Sequence, residues 1–325
     1  MNMIGLGNAL VDVLLQLKDE EILTRIGVKK GAMDMISEEQ MIAIQSSNLD
    51  LERTLTPGGS VCNTMRTLAS LGVNSGYIGK IGQDNNAAYY EKALKAVGVT
   101  PYFIRTDGVS GCCTVLISPD GERTMCTFLG PAPTITSSEI SEEILSGYDC
   151  IYIEGYLLVN EELVKSTMQK AKKLGLKVAL DLSNFNIVNG FRKLLEDIIP
   201  KYVDILFSNE SEAEAFTGLK ADDAVRKLST MVDISLVTIG RHGAFVASKG
   251  NIVHVSAEGG LPKDTTGAGD NFAAGFLYGQ AIGATLEQSA RIGSMLAGYV
   301  IDVIGPQIPE ESWEQIKLKV KDILN

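Results

Sequence analysis

The stretch KDTTGAGDNFAAG, residues 263–275, sets a turn of small residues directly before an acidic one. The backbone N–H groups of Gly267, Ala268 and Gly269 can approach an anion, and Asp270 follows at once. Apolar residues then recur at helical spacing, so the turn opens a helix. The first N–H groups of a helix lack intrahelical partners and carry partial positive charge, so this start can bind phosphate without a lysine. A carboxylate placed there would repel the phosphate and therefore needs another partner.

Two interpretations of Asp270 fit this pattern. As an ordinary N-cap, Asp270 would accept a hydrogen bond from the backbone of its own helix, although a cap does not require two glycines before it. As a catalytic base, Asp270 would accept the proton of an attacking hydroxyl while the glycine turn holds the transferred phosphoryl group. In the second case the carboxylate contacts the nucleophile and not the phosphate.

Composition excludes several classes of protein. The chain has 325 residues, 45% of them hydrophobic and 21% charged, which is typical of a globular enzyme. The net charge of −11 leaves no basic stripe for nucleic acid. Five cysteines without a C-x-x-C spacing predict neither a disulfide framework nor a zinc site, and favour a cytoplasmic location. No uncharged apolar stretch reaches the 18 residues of a membrane span.

The N-terminal run MNMIGLGNALVDVLLQL is apolar enough to imitate a signal peptide. It lacks a basic segment, and Asp12 interrupts it. We therefore expect a buried first strand that ends near Asp12.

Short apolar runs alternate with helical patterns after the first hundred residues, which predicts a mostly parallel sheet with helices on both faces. Ligands of such sheets bind beyond the carboxyl ends of the strands. Segments 31–37 and 111–130 depart from this rhythm and are predicted as antiparallel strands, the second as a hairpin. We expect one α/β domain over residues 1–325, with a discontinuous β-sheet lid formed by about 12–37 and 101–130.

Four further segments resemble the PfkB/ribokinase family of sugar and nucleoside kinases, and with 263–275 the resemblance spans essentially the whole chain. They are PGGSVCNTMRTLASLG (57–72), IGKIGQDNNAAYYEKAL (78–94), FSNESEAEAFTG (207–218) and VTIGRHGAFV (237–246). GLGNALVDVL, the 111–130 hairpin and IEGYLL most resemble the adenosine-kinase-like branch. The resemblance implies a ribokinase-like three-layer α/β/α sandwich. It also implies ATP- and Mg²⁺-dependent phosphorylation of a primary hydroxyl on a nucleoside or sugar.

The resemblance assigns the catalytic residues within the glycine turn. Asp270 becomes the base, and the N–H groups of Gly267, Ala268 and Gly269 become the anion hole. Asp12 would accept hydrogen bonds from two adjacent substrate hydroxyls. The alternative from its position is a solvated residue at the end of a strand, which the apolar surroundings of Asp12 disfavour.

The resemblance also assigns the rest of the acceptor site. Gly58 and Gly59 would let a sugar approach the backbone, and Asn63 would complete the hydroxyl contacts. Without the resemblance, the same residues indicate a plain loop with Ser60 as helix N-cap. Phe185 aligns with an aromatic residue that stacks on a nucleobase, or else belongs to the core.

Asn209 and Glu212 lie one helical turn apart after a buried strand, hence on one face. This spacing fits a capping pair, and it also fits a Mg²⁺ site in which Glu212 acts through water. By resemblance, the nucleotide is bound by Asn209, Thr238, Gly240, Gly243, Asp264 and Thr265. A monovalent cation is a further cofactor that the resemblance suggests.

Three functions remain open at this point: an adenosine-kinase-like nucleoside kinase, a sugar kinase of the ribokinase or fructokinase type, and a non-catalytic nucleotide or sugar sensor. The first two differ in the pocket opposite the hydroxyl-binding end, where a nucleoside needs an apolar or aromatic slot. The family often has glycine where this chain has Ala87 or Ala88. We expect a small-molecule partner, no nucleic acid or membrane, and a monomer or a homodimer through the lid.

Overall fold

The structure, a computed structural model, describes residues 1–48 and 50–325. Its described residues form a large sheet of nine strands and a small sheet of five. In chain order, the strands of the large sheet are β1 (Met3–Leu6), β5 (Ser75–Ile81), β6 (Val99–Arg105), β9 (Cys150–Glu154), β10 (Lys177–Asp181), β11 (Ile205–Asn209), β12 (Ile234–Thr238), β13 (Ala244–Ser248) and β14 (Asn251–Val255). Their spatial order is β14-β13-β12-β11-β10-β9-β1-β5-β6.

The large sheet is mostly parallel, as predicted. Every neighbouring pair from β12 across to β6 runs parallel, and β13 and β14 add antiparallel strands at one edge. The central strands β1 and β9 are buried along their whole length. Strands covered on both faces read as continuous apolar runs, which is why this part of the sequence predicts the sheet well.

The described helices are α1 (Glu21–Ile26), α2 (Glu38–Ser46), α3 (Ser60–Ser70), α4 (Asn85–Ala96), α5 (Glu142–Leu145), α6 (Glu161–Lys173), α7 (Phe185–Gly190), α8 (Arg192–Tyr202), α9 (Glu210–Thr217), α10 (Ala221–Leu228), α11 (Ala268–Ala281), α12 (Leu286–Ile301) and α13 (Trp313–Leu324). Helices cover both faces of the large sheet, whereas α1 and α2 pack on the small sheet. One apolar core joins the sheet to α3, α4 and α11, and a second joins it to α6, α8, α9 and α10. The helix–sheet–helix layering follows from these two cores.

The apolar N-terminal run forms two strands where we predicted one. β1 lies between β5 and β9 in the large sheet, whereas β2 (Leu10–Gln16) belongs to the small sheet. Asp12 therefore lies inside a strand of the small sheet and not at the end of the first strand. The two strands read as one because apolar residues continue through both with little interruption.

The small sheet contains β2, β3 (Met33–Met35), β4 (Arg53–Gly58), β7 (Gly111–Ile117) and β8 (Arg123–Phe128) in the spatial order β3-β8-β7-β2-β4. We call it the lid. The β7–β8 hairpin forms as predicted, with Gly121 at φ 87° in its turn. Three details of the prediction are wrong: β3 pairs parallel with β8, residues 99–105 belong to the large sheet, and β4 extends the lid. β4 was overlooked because it leads straight into the Gly58–Gly59 turn and reads as loop.

No helix in the described part of the chain has both the length and the apolar character to cross a membrane. The five cysteines are buried and unpaired. Burial raises the pKa of the Cys62 and Cys150 thiols to about 12, so neither is an activated nucleophile.

Helices α11 and α12 pack with their backbones in close contact. A Cβ at Gly275 would lie 2.7 Å from the Gly293 Cα, and a Cβ at Gly279 would lie 2.4 Å from the Ser289 Oγ. Glycine at these positions lets α12 hold α11 firmly, and α11 carries the glycine turn at its start.

We predict that Gly275→Ala lowers the free energy of unfolding by about 1–3 kcal/mol, since the added methyl group must push the two helices apart. Gly190→Ala is the matched control, because a Cβ at Gly190 meets nothing within 4 Å. Urea unfolding followed by circular dichroism measures both. Equal stability of the two variants would contradict the close packing.

Candidate active site

The glycine turn starts α11 in the way the sequence predicts. Gly267 is the N-cap residue and adopts a left-handed backbone, with φ 77°. A Cβ there would lie 2.6 Å from the Pro306 Cβ, so glycine is required. Asp270 is the third residue of the helix, and no described side chain caps the start. The N-cap interpretation of Asp270 is therefore wrong.

The start of α11 offers free backbone donors. Among the described residues, the N–H groups of Gly267, Gly269 and Asp270 form no hydrogen bond. Ala268 was predicted as a donor of the anion hole, but its N–H donates to the Thr265 carbonyl at 3.2 Å and closes the turn. Three unpaired N–H groups and the positive end of the helix macrodipole make this position suited to a phosphoryl group.

The Asp270 carboxylate is held by side chains of α3. Ser60 Oγ donates to Asp270 Oδ1 and Asn63 Nδ2 donates to Asp270 Oδ2, each at 2.8 Å. Thr64 Oγ1 also donates to the Asp270 carbonyl at 3.1 Å. The N-cap of α3 is Gly59, so Ser60 is not the cap that its position suggested. Both carboxylate oxygens are thereby fixed in direction.

Burial raises the pKa of Asp270 above its ordinary value, while the hydrogen bonds from Asn63 and Ser60 act in the opposite direction. A raised pKa makes a carboxylate a better acceptor for an alcohol proton. Donors from neutral side chains keep the ionised form available. The site thus provides an oriented base.

Four further carboxylates gather around this base. They are Asp12 on β2, Glu154 at the end of β9, Asp181 at the end of β10 and Glu212 on α9. Burial is the first cause that raises the pKa of each, to about 7 for Asp12 and for Glu154. The Asp270 charge adds to this effect at Asp12, Glu154 and Asp181. So much buried negative charge favours cations and hydroxyl donors as ligands.

An arginine of the lid compensates part of this negative charge. Arg123 on β8 forms an ion pair with Asp264 at 2.5 Å, and its Nη1 donates to Thr266 Oγ1 at 3.2 Å. Its charge also lowers the pKa of Asp12 against the larger effect of burial. Arg123 therefore ties the lid to the segment that precedes the glycine turn.

Asp264 was predicted to line the nucleotide, and the structure gives its carboxylate other partners. Besides Arg123, it accepts from the Thr266 N–H at 3.0 Å, the Thr266 hydroxyl at 2.8 Å and the Gly305 N–H at 2.7 Å. These contacts fix the turn before Gly267, and a contact of Asp264 with a nucleotide stays a prediction. Thr265 beside it is exposed.

The predicted acceptor residues meet near Asp270. β2 and β4 pair so that the Asp12 carboxylate lies against Gly58, where a Cβ would approach it to 2.2 Å. Gly58 is therefore required by Asp12 itself. Asn63 joins them from α3, with its Oδ1 buried and unpaired among the described residues. That oxygen and the Asp12 carboxylate are acceptors available to substrate hydroxyls.

The lid face that carries Asp12 also carries an apolar cluster. Leu14, Cys113, Val115 and Ile117 form it, with Met125 packed against it. Strand alternation and the pairing of β2, β7 and β8 place these side chains on the face of Asp12. The opposite face of β2 packs on α1 and α2. The cleft thus combines hydroxyl acceptors with an apolar roof.

Phe185 is the first residue of α7 and lies just beyond the carboxyl end of β10. Its side chain is 47% exposed, so the alternative of a core residue is wrong.

Asn209 and Glu212 form a capping box at the start of α9. Glu212 N–H donates to Asn209 Oδ1 at 2.9 Å, and Asn209 N–H and Nδ2 donate to the Glu212 carboxylate at 2.8 and 2.7 Å. Both predicted interpretations survive, because a capping pair can also face a ligand. The described residues contain no group of three or more acidic, histidine or cysteine ligands for a metal. Mg²⁺, which keeps several waters and takes few protein ligands, still fits beside Glu212 and Asp181.

The predicted nucleotide residues follow β12. Thr238 ends that strand, and Gly240 and Gly243 flank the short turn into β13 with positive φ of 55° and 95°. A Cβ at Gly243 would lie 1.8 Å from the Val255 carbonyl, so the turn packs tightly on β14. Gly240 faces open space.

Sequence reasoning missed three charged residues of the site: Arg123, Glu154 and Asp181. Glu154 is 1% exposed, and its Oε1 accepts from the Asn8 N–H at 2.9 Å and from Asn8 Nδ2 at 2.6 Å. Its Oε2 is buried and lacks a described partner. Glu154 and Asp181 could have been found from the sequence, because each is an acidic residue at the end of a buried apolar run.

Comparison with known proteins gives a consistent result. Residues 28–313 match the pfkB family carbohydrate kinase profile. The chain is 29% identical to an adenosine kinase of Schizophyllum commune, over 96% of this chain and 97% of that protein. Among solved structures, the adenosine kinase of Sinorhizobium meliloti matches with 29% identity and a TM-score of 0.87. A probable sugar kinase of Rhizobium etli CFN 42 matches with 27% identity and the same score, and each pair covers 98% of both chains. The expected ribokinase-like fold is confirmed.

The buried carboxylates predict that stability falls as pH rises. The pKa of Asp12 and of Glu154 is about 7 in the folded protein, against 3.8 and 4.5 ordinarily. Between these values the folded state binds more protons than the unfolded chain. The contribution to stability is thus complete below about pH 4 and is lost as pH rises through 7.

Urea unfolding between pH 5 and pH 8 should show this decrease, of at least about 1 kcal/mol. Glu154→Gln, which cannot titrate, should show a shallower slope. Surface carboxylates with a lowered pKa, such as Asp197, titrate below this range. A stability that rises with pH, or equal slopes for both proteins, would contradict the assignment.

Proposed function

The chain belongs to the pfkB carbohydrate kinase family and is a kinase of the nucleoside and sugar class, and we propose that its acceptor is an adenosine-like nucleoside. In this proposal the primary hydroxyl of the nucleoside is phosphorylated and Asp270 is the base. One observation carries this proposal. The Asp270 carboxylate, oriented by Ser60 and Asn63, lies in the first turn of a helix whose N–H groups are unpaired. The base and the anion hole therefore adjoin each other.

The chemistry divides between two neighbouring positions. The acceptor hydroxyl donates to Asp270, which takes its proton as the bond to phosphorus forms. The N–H groups of Gly267, Gly269 and Asp270 donate hydrogen bonds to the phosphoryl oxygens and stabilise the negative charge that develops on them. Ser60 and Asn63 prevent the carboxylate from turning toward the phosphate. Proton transfer and charge stabilisation thus use different atoms of one helical turn.

The donor side uses the carboxyl ends of β10 to β12. We assign the ATP base to the turn of Gly240 and Gly243, and the phosphate side to Asn209 and Thr238. Bound Mg²⁺ would neutralise phosphate charge, and Glu212 and Asp181 would hold it through water. Burial, and to a smaller extent the charge of Asp181, raises the pKa of Glu212, and a cation at this place would relieve both effects.

Recognition of a nucleoside is supported by the lid. Asp12 offers two acceptor oxygens for adjacent ribose hydroxyls, and the Leu14 and Val115 cluster offers apolar surface for a base. Phe185, exposed at the cleft edge, is available to stack on that base. Closure of the lid through Arg123 and Asp264 would exclude water.

A sugar kinase is the second candidate. The Oε2 of Glu154 is buried without a described partner, and it would be available to accept from one further hydroxyl of a free sugar. The similarity to the Rhizobium etli probable sugar kinase supports the same candidate.

We infer the location from the cysteines and the assembly from the exposed edge of the lid. Buried, unpaired cysteines suit a reducing compartment, so we assign the enzyme to the cytoplasm. β3 forms an edge of the lid, with Met33 48% and Met35 61% exposed. This edge would join two lids if the protein dimerises.

Asp270→Asn should lower kcat by about 10²–10⁴, because the amide cannot accept the hydroxyl proton. Substrate affinity, measured by calorimetry, should change little because Asn keeps the shape. Asp302→Asn, an exposed acid at the end of α12, is the matched control and should keep full activity. Near-normal kcat in Asp270→Asn would remove that residue from the chemistry.

Turnover with a panel of acceptors tests the substrate class. In a coupled ATP assay, kcat/KM for adenosine should exceed that for ribose and fructose by at least about 10²-fold, since only the nucleoside uses the apolar roof. A preference for a free sugar would establish the second candidate. Nucleotide binding without turnover of any acceptor would instead indicate a sensor.

A further inference from the structure

A cavity of about 1280 Å³ lies beside the active site, on the outer side of α3. Its walls are one face of α3, the turn after α4 and the segment from residue 306 into α13. Asn63 lies at its inner end, whereas Asp12, Glu154 and Asp270 do not line it. The proposed kinase reaction leaves this space unused.

The cavity contains an arginine without a partner. Arg66 follows Asn63 by three residues on α3 and lines the cavity with it. Its Nε and Nη1 are buried, and Arg66 forms no hydrogen bond or ion pair in the described part of the chain. Burying a guanidinium group without an acceptor is unfavourable, and an anion that pairs with it offsets the cost. The buried guanidinium group of Arg66 is therefore the position in this cavity at which an anion can bind.

The remaining walls define the shape of a ligand. Ser70 supplies a hydroxyl group along the same helix face, whereas the Thr67 hydroxyl already donates to Asn271 Oδ1 at 2.7 Å. Trp313, the single tryptophan of the sequence, lines the cavity with Ile308. An indole ring offers a flat apolar surface on which another ring can stack.

We propose that this cavity is a second ligand site that binds a small organic anion, with its carboxylate or phosphate on Arg66 and a flat ring on Trp313. Glu310, Glu311 and Glu314 stand exposed at the rim. Their charges repel a highly charged ligand more than a weakly charged one. The site therefore selects a carboxylate or a phosphate monoester over a triphosphate.

Two residues connect the cavity to the catalytic cleft. Asn63 donates to Asp270, and Gln307 donates to Thr56 Oγ1 at 2.8 Å and to the Pro57 carbonyl at 3.1 Å on lid strand β4. A ligand in the cavity lies against both residues, so the site adjoins the proposed base and the lid.

Trp313 fluorescence of the full-length protein tests binding without reference to activity. Titrations use benzoate, adenosine monophosphate, inorganic phosphate and ATP as probes. We expect a saturable change with benzoate or with the monophosphate, and at least tenfold weaker binding of ATP and of inorganic phosphate. Benzoate alone would identify a carboxylate ligand, and the monophosphate alone a phosphate ester.

Arg66→Met localises the binding, since it keeps an unbranched side chain and removes the charge. Affinity should fall at least about tenfold. Lys317→Met, which removes an exposed cation of the same cavity, should change affinity less than about twofold. Thermal unfolding checks that Arg66→Met folds, and loss of its unpaired charge should leave its Tm equal or higher.

The proposal is overturned if no organic probe changes the fluorescence of the wild type, or if Arg66→Met binds as tightly as the wild type. Equal binding of inorganic phosphate and the monophosphate would also contradict it, because the ring would then contribute nothing. None of these outcomes depends on kinase turnover, so they leave the proposed function untouched.

Discussion

Two hydrogen bonds hold the active site together: those from Ser60 and Asn63 to the carboxylate of Asp270. They join the start of α3 to the start of α11, across 210 and 207 residues of sequence. The start of α3 follows Gly58, which lies against Asp12, and the start of α11 carries the free N–H groups of the glycine turn. Because these bonds fix the direction of one carboxylate, they keep the proposed acceptor side and the proposed phosphate side of the cleft in register. The lid, the large sheet and the α11–α12 contact serve to keep them there.

The site concentrates more negative charge than a stable fold requires. Burial raises the pKa of Asp12, Glu154, Asp181 and Glu212, and Arg123 is the lid cation that opposes this charge at Asp12. An enzyme that binds a metal–nucleotide complex and a polyhydroxylated acceptor gains from such a cluster, since each ligand brings cations or hydroxyl donors to it. The same cluster is expected to lower the free energy of unfolding near neutral pH, where these carboxylates ionise. Substrate binding should therefore stabilise the folded state well.

The sequence predicted those features that depend on local chemistry. The small residues before Asp270 identified a helix start, and buried apolar runs identified the parallel sheet, because helix ends and doubly covered strands leave local patterns. It did not predict contacts between distant residues, such as the ion pair between Arg123 and Asp264, which are 141 residues apart. The sequence also did not predict that the N-terminal run forms two strands, β1 and β2, because apolar content does not indicate which sheet a strand joins. The roles of the site residues stay predictions.

The distance from Asp270 to the acceptor hydroxyl tests this account most directly. A crystal structure with a bound nucleoside and a planar phosphoryl mimic would measure it. We predict a hydroxyl oxygen about 2.6–3.2 Å from an Asp270 carboxylate oxygen, with the mimic on the Gly269 and Asp270 N–H groups. An acceptor hydroxyl that lies beyond hydrogen-bond reach of Asp270, with the mimic bound elsewhere, would contradict the mechanism.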